Sequence, residues 1–370
     1  MRIFVYEFVT GGGLAGRPVP RSLAREGLAM RSALLEDLAA IDGHEIVVTT
    51  DARFRRPAPR GVHMVSIVPV AGSLPAPGVS RTIDALIDAS DAVWLIAPET
   101  GRCLEQLAAR VERRGKTLLG SGAAVVRMAA DKSRLPRRLA RTRIGHPKTT
   151  VLAHGVGAPT AARRIGYPVV VKPSRGAGCR GVRLVRHERD LGAAIDAAHR
   201  ANGTGLGRPS SRSEGGPLVM QEYVRGQAVS VSLLADGRRA VPLAVNAQRV
   251  TASARFSYRG GATPFDHPLA DAAAATASRT CAGIPGLRGY VGVDLVLTRS
   301  GPVVIEVNPR LTMSYLGLRA VLDENVAALA LAACDGTLPT PPLLRRRARF
   351  TAAGLVVSGR LRPKASAGKE

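Results

Sequence analysis

The stretch that most constrains this chain runs from Gly292 to Arg310, where two apolar runs flank Arg299-Ser300-Gly301. Both runs alternate with a period of two, as half-buried β-strands do, and a three-residue hairpin loop with Gly301 in its left-handed position joins them. Folding the ribbon about residue 300 sets Asp294 opposite Glu306, within a one-residue bulge offset, and Asn308 shares their face. Val293, Leu295, Leu297, Val303, Ile305 and Val307 fall on the other face, the expected core side. Directly opposed side chains lie about 5 Å apart at Cβ, and two like charges there destabilise a hairpin unless a cation offsets them. Two carboxylates and an amide oxygen suit Mg²⁺, which takes hard oxygen ligands at about 2.1 Å. The plainer alternative is a solvated strand face with incidental acids.

The first 125 residues alternate strand and helix. Arg2–Phe8, Glu45–Thr50, Val62–Val68, Ala92–Ala97 and Thr117–Gly120 read as strands; Ser22–Ala40, Arg81–Ala89 and Cys103–Arg113 read as helices. That alternation predicts a parallel sheet covered on both faces. Gly11-Gly12-Gly13-Leu14-Ala15-Gly16 matches G-x-G-x-x-G after a strand, the dinucleotide signature. Pro18 and Pro20 separate it from the helix, and Asp51 lies beyond the spacing of about 20 residues expected of a ribose-binding acid. A plain loop and a loop that touches substrate also remain open.

A second glycine loop follows the apolar run that ends at Lys172: Gly176, Gly178 and Gly181 precede a returning strand, Val182–Val185. Glycines let backbone N–H groups wrap a phosphate chain, and Lys172 can place its ammonium on the same anion. The lysine precedes the glycines, so this is not a Walker loop; an ordinary Gly-rich hairpin is the alternative. Residues 131–148 are basic (Lys132, Arg134, Arg137, Arg138, Arg141, Arg143, Lys148) and read as a helix with a mostly solvated face, Lys132 being the member to single out. Residues 201–217, rich in Gly and Ser, read as a loop. Leu218–Val224 is an apolar strand whose end, Glu222, Tyr223 and Val224, can offer backbone groups to a purine edge; Val229–Leu234 is the next strand. Residues 246–268 form a polar segment with Arg249, Arg255, Tyr258, Arg259, Gly260, Gly261, Asp266 and His267, a candidate loop for an acceptor substrate. Ala270–Cys281 and Leu318–Cys334 read as helices, and a basic tail follows Pro339, with Phe350–Val357 adding one strand.

Net charge is +25, and all but six of the 53 basic residues are arginine. Aromatics are few, 4%, and no nucleic-acid motif accompanies the charge, so an anionic small molecule or simple solubility accounts for it. Cys103, Cys179, Cys281 and Cys334 show no paired spacing, which predicts a reduced, cytoplasmic protein. The N-terminal run stops at Gly11, too short for a signal segment, and Val326–Cys334 is far short of the ~20 residues of a membrane span. No membrane and no nucleic-acid partner are expected.

Lys132, Lys172 with its loop, Gln221–Val224 and Asp294…Glu306-x-Asn308-x-Arg310, in that order, resemble the ATP-grasp carboxylate–amine ligases over about residues 130–335. The resemblance implies a mixed α/β and α+β chain, an ATP-grasp fold behind an N-terminal parallel-sheet domain. It divides the chain into 1–125, 126–217 with the phosphate loop, 218–340 with the Mg site, and a basic extension 341–370. By that resemblance Lys132 and Lys172 hold ATP phosphates and the loop Ser174–Gly181, with Gly176 and Gly178, closes over them. Gln221, Glu222, Tyr223 and Val224 border adenine, with Glu222 and Val224 bonding it through their backbone. Asp294, Glu306 and Asn308 ligate two Mg²⁺, for which Mn²⁺ can substitute, and Arg310 faces the transferred phosphoryl group. Many members carry a Glu for the ribose where this chain has Ala228, with Gln227 beside it. The Val-Tyr-Glu-Phe-Val-Thr-Gly-Gly-Gly opening, Arg25-Glu26-Gly27, Ser230-Val231-Ser232 and Pro264-Phe265-Asp266-His267-Pro268 look like the tyramine–glutamate ligases of methanofuran biosynthesis and their methylotroph relatives. Amino-acid and amine substrates are then implied, with room for a homodimer, and Asp266 and His267 are candidates for a general base. A ligase for another amino-acid pair, a dinucleotide enzyme and a nucleic-acid binder are the rival readings.

Overall fold

The computed structural model describes residues 1–68, 77–152, 157–203 and 217–360. Strands β1 (Arg2–Glu7), β2 (Glu45–Asp51), β3 (Val62–Ile67), β4 (Ala92–Ile96) and β5 (Thr117–Leu118) form a sheet of order β3-β2-β1-β4-β5 in which every pairing is parallel. Its strands are apolar in succession because both faces are covered. Ile3 and Val5 pack with Leu34 and Leu38 of the helix Arg21–Ala39; Phe4 and Tyr6 pack with Ile83, Ile87 and Leu104 from the helices Pro77–Asp88 and Cys103–Glu112.

The remaining chain builds two antiparallel sheets. β6 (Thr149–Leu152), β7 (Val169–Pro173), β8 (Arg183–Val185) and β9 (Leu218–Glu222) lie in the order β6-β9-β7-β8. β10 (Gln227–Asp236), β11 (Ala240–Ala252), β12 (Phe256–Thr263), β13 (Arg288–Thr298), β14 (Gly301–Asn308), β15 (Arg346–Thr351) and β16 (Val356–Arg360) lie in the order β14-β13-β10-β11-β12-β15-β16. The divisions expected at 217/218 and 340/341 therefore differ from the sheet membership: β9 pairs with β6 and β7, and β15 pairs with β12. The fold is the mixed α/β architecture expected, a parallel sheet followed by two antiparallel ones.

Several local expectations need correction. The hairpin turn is two residues, Arg299-Ser300, because Thr298 already pairs with Gly301, whose φ of 117° opens β14. Asp294 does pair with Glu306, but Leu295 pairs with Val304, so Ile305 bulges out. One extra residue shifts the parity of the strand by one. Val304 is therefore the buried residue, while Val303 and Ile305 are only half-buried. The polar segment 246–268 is mostly strand, the end of β11 and all of β12, which pair with each other in the seven-stranded sheet. The helix expected over Leu318–Cys334 is two, Ser314–Arg319 and Val326–Cys334; Asn325 caps the second by accepting from the N–H groups of Ala327 and Ala328. The basic stretch 131–148 is helical only over Leu135–Arg141, with Leu135 and Leu139 turned to the core. The tail holds two strands rather than one, and buried Phe350 anchors them. Of the loop expected at 201–217, residues 204–216 lie outside the described residues, and the helix Leu191–Gly203 occupies its start. All four cysteines are free thiols. Among the described residues no helix is long and apolar enough to cross a membrane.

Candidate active site

A cleft of about 980 Å³, part of it open to solvent, separates the four-stranded from the seven-stranded sheet. Its polar end is the β13–β14 ribbon. Asp294 and Glu306 oppose each other there, and Asn308 opposes Gly292 two residues further along the same face. Gln248 donates to Asp294 Oδ1 at 2.8 Å and Asn308 Nδ2 donates to Oδ2 at 3.1 Å. Lys132 lies 2.9 Å from Glu306 Oε2 and donates to the Gly176 carbonyl at 3.0 Å, which ties the ribbon to the glycine loop. Lys172, at the end of β7, is buried in the same cleft.

The electrostatics are unbalanced. Burial, reinforced by the Glu306 charge, pushes the Asp294 carboxyl well above its ordinary range. Burial opposes ionisation of Glu306 too, but Lys132 and Lys172 overcome it and hold that carboxyl at about 2. Burial, with the neighbouring Lys132 charge, brings Lys172 down to about 8. Asp294 is thus a half-buried carboxyl held by two neutral amides, and the charged group facing it is another carboxylate. A hard divalent cation fits this donor set, because it offsets both charges where a strand pairing alone cannot.

The other end of the cleft is apolar. Val170, Val250, Val296, Ile305 and Phe256 line it, with Tyr223 and Phe256 rings 6.3 Å apart. Gln221, Glu222, Tyr223, Val224 and Ala228 complete that end. The N–H groups of Glu222 and Tyr223 are spent on the carbonyls of Lys148 and Pro168, so these two residues have only carbonyls to offer a ligand's edge. Gln221 is buried and donates to Thr149 Oγ1 at 2.9 Å. Gln227 is exposed and bonds the Ala228 carbonyl, outside the cleft lining.

Other residues sit differently from expectation. Gly176 and Gly178 line the cleft, whereas Ser174 and Gly181 do not: Ser174 is buried beneath the loop, its carbonyl accepting from Lys132 N–H, and Gly181 packs on Ala201 and Pro173. Arg175 pins the loop to Asp131 at 3.1 Å. Arg310 stands beside the ribbon but pairs with Glu99 through both prongs, at 2.8 and 2.9 Å. The loop Gly11–Gly16 packs inward against Phe8, Thr49 and Ile67, and Asp51 is occupied by Arg53 at 2.7 Å. Asp266 and His267 line neither this cleft nor the second one described below.

Glu99, Gln248 and Phe256 were not anticipated. Glu99 follows the carboxyl end of β4, the edge of a parallel sheet where ligand groups gather, and that position was a usable signal. Gln248 and Phe256 carried no comparable signal, since their strands were hidden in a polar segment.

Residues 129–314 match the ATP-grasp domain model, and residues 44–126 match the pre ATP-grasp 3 domain model. The chain is 36% identical over 102 residues to the tyramine–L-glutamate ligase of Methanocaldococcus jannaschii. That match spans 28% of this chain and about a third, 32%, of the relative. Among solved structures, an ATP-grasp superfamily protein from Archaeoglobus fulgidus superposes with a TM-score of 0.63 at 22% identity, covering 94% of this chain and 92% of the other. The biotin carboxylase of Campylobacter jejuni, solved as a β,γ-ATP complex, superposes at 0.70 and 18% identity, covering 94% and 74%. At these identities the two likenesses show the fold.

Proposed function

The chain belongs to the ATP-grasp family, and from that premise we propose that it is an ATP-dependent, ADP-forming ligase that joins a carboxylate to an amine. The observation that carries this reading is the opposed pair Asp294 and Glu306, half-buried at the polar end of the cleft with buried Lys132 and Lys172 beside it.

In this reading the apolar end between Val170, Val250 and Phe256 takes the purine, with Glu222 and Val224 at its edge. Lys132, Lys172 and the loop through Gly176 and Gly178 hold the phosphates. Asp294, Glu306 and Asn308 are the residues that would hold Mg²⁺, which when bound neutralises the charge developing on the transferred phosphoryl oxygens. A carboxylate oxygen of one substrate attacks the γ-phosphorus, the bond to the β-bridging oxygen breaks, and ADP leaves an acyl phosphate. The amine then attacks the acyl carbon, phosphate departs, and the ammonium proton is lost to give an amide. Phosphoryl transfer asks the protein mainly for positioning and charge, and the side chains gathered here are of that kind. No nucleophilic side chain is needed.

Glutamate as carboxylate and tyramine, or a tyrosine-like amine, as acceptor are the first pair to test, supported by the partial match to a tyramine–L-glutamate ligase; a methanofuran-type product follows from that pair. A ligase for another amino-acid pair is the second reading, supported by the shortness of that match. An ADP-release assay with glutamate plus tyramine, tyrosine or D-alanine separates the two. ADP release that depends on both substrates, and is lost in Glu306→Gln, is the expected result; full activity in that variant would refute the role given to the ribbon.

A further inference from the structure

A second cleft lies between the glycine loop and the N-terminal sheet, and Ala177, Gly178 and Arg180 line both clefts. Val9, Leu23, Met30 and Ile96 give the second one an apolar wall. Glu7, Glu26, Arg180 and Arg310 bring it charge.

The two carboxylates are not equivalent. Glu7 is buried and its oxygens are used internally, accepting from Val9 N–H at 2.9 Å, Thr10 N–H at 2.6 Å and Thr10 Oγ1 at 2.5 Å. Arg310 is likewise committed, to Glu99. Glu26 is half-buried and makes no side-chain hydrogen bond or ion pair among the described residues. The helix Arg21–Ala39 brings it there by passing directly over Glu7: a Cβ on Gly27 would come within 2.8 Å of the Glu7 carboxyl group, so glycine is what allows the approach. Burial raises the Glu26 carboxyl and the Arg310 charge opposes it. A carboxylate partly withdrawn from water, with no hydrogen-bond partner among the described residues, carries a cost that a ligand ammonium would remove.

We propose that Glu26 receives the ammonium of the amine substrate, whose compact apolar body lies on Val9, Leu23, Met30 and Ile96. Its meaning for catalysis rests on the ligase reading; the binding itself does not. The cleft selects a primary amine with a small hydrocarbon or aryl body, and Glu26 determines that choice. The shared loop then places the amine next to the nucleotide cleft, where the acyl phosphate forms.

The test is calorimetric titration of the full chain with tyramine and with 4-ethylphenol, the same ring and chain without the ammonium. A charge-assisted bond predicts that the wild type prefers tyramine by about tenfold or more, and that Glu26→Gln reduces the preference below about threefold while Glu26→Asp keeps part of it. Thermal melts of each variant establish that it is folded; if Glu26→Gln melts early, Glu26→Leu, suited to the apolar surroundings, makes the same comparison. An undiminished preference in the folded variant, or no preference in the wild type, overturns the inference. Neither arm needs turnover. Failure of the ADP-release assay alongside a Glu26-dependent preference would therefore overturn the proposed reaction alone. Amine-dependent ADP release with an unchanged KM for tyramine in Glu26→Gln would overturn the role of Glu26 alone.

Discussion

Arg310 and Glu99 form a two-pronged ion pair across 211 positions of chain, Nε to Oε1 at 2.8 Å and Nη2 to Oε2 at 2.9 Å. Glu99 follows β4 of the parallel sheet and Arg310 follows β14, so the pair locks the N-terminal sheet to the ribbon. Only 13% of the Arg310 side chain and 3% of Glu99 meet solvent. Removing one member of a desolvated pair strands the other, at a cost of about 3–5 kcal/mol. Glu99→Gln is expected to lose stability in that range by urea unfolding. Under the proposed reaction its kcat should fall while KM for ATP changes little, because Arg310 loses its partner and the apolar end of the cleft, the proposed purine site, is untouched.

Asp294 opposes Glu306 at the expense of the nucleotide-free protein. A carboxyl whose folded pKa is raised contributes stability only while protonated, below its unfolded pKa of about 3.9, and that contribution is lost as pH rises through the folded value. Asp294→Asn removes this burden. The variant should melt higher than wild type at neutral pH without ligand, by an increment of about 1 kcal/mol. It should also lose the added stabilisation that Mg²⁺ and ATP together give the wild type, as read by thermal shift.

Lys172 predicts a signature in the alkaline range. Its folded value of about 8 lies below the ordinary lysine value. The unfolded chain therefore binds one more proton than the folded chain between about pH 8 and pH 10.4, so this group makes stability rise with pH across that window. Lys172→Met should flatten the rise in a pH series of urea melts. ATP supplies the missing anion and draws a proton onto Lys172. Binding near pH 8.5 should therefore take up a proton, seen as a dependence of the calorimetric heat on buffer ionisation enthalpy that Lys172→Met abolishes.

Gly27→Ala sets two effects against each other. Alanine gains about 1 kcal/mol of helix propensity at an interior position. Its Cβ, however, would meet the Glu7 carboxyl group at 2.8 Å, and three hydrogen bonds hold that group in place. Overpacking costs about 1–3 kcal/mol. A net loss in chemical denaturation is expected, together with weaker amine binding as the helix moves off the second cleft.

The ribbon was legible because period-two alternation assigns faces without knowledge of anything distant. Asp294 and Glu306 could be set opposite one another from spacing alone, and the parallel sheet followed from alternating strands and helices. The bulge at Ile305 was not legible: either parity satisfies a run of Val, Val and Ile, and only packing against β13 selects Val304 for the core. β11 and β12 were hidden for a related reason. Their polar side chains face the cleft and solvent, so a strand carrying Gln248, Arg249 and Arg255 reads like a loop when its neighbours are unknown.

What the amino-acid order determined by itself is local: where strands and helices form, which residues share a face, and that two carboxylates and an amide lie along one ribbon. What only the tertiary structure decided is partnership over distance. Lys132 reaches Glu306, Gln248 reaches Asp294 and Glu99 claims Arg310 through tertiary packing that no spacing rule encodes. The same is true of Glu26. The sequence marks it only through the Arg25-Glu26-Gly27 motif; the passage of that helix over Glu7 places its carboxyl in a cleft with no hydrogen-bond partner among the described residues.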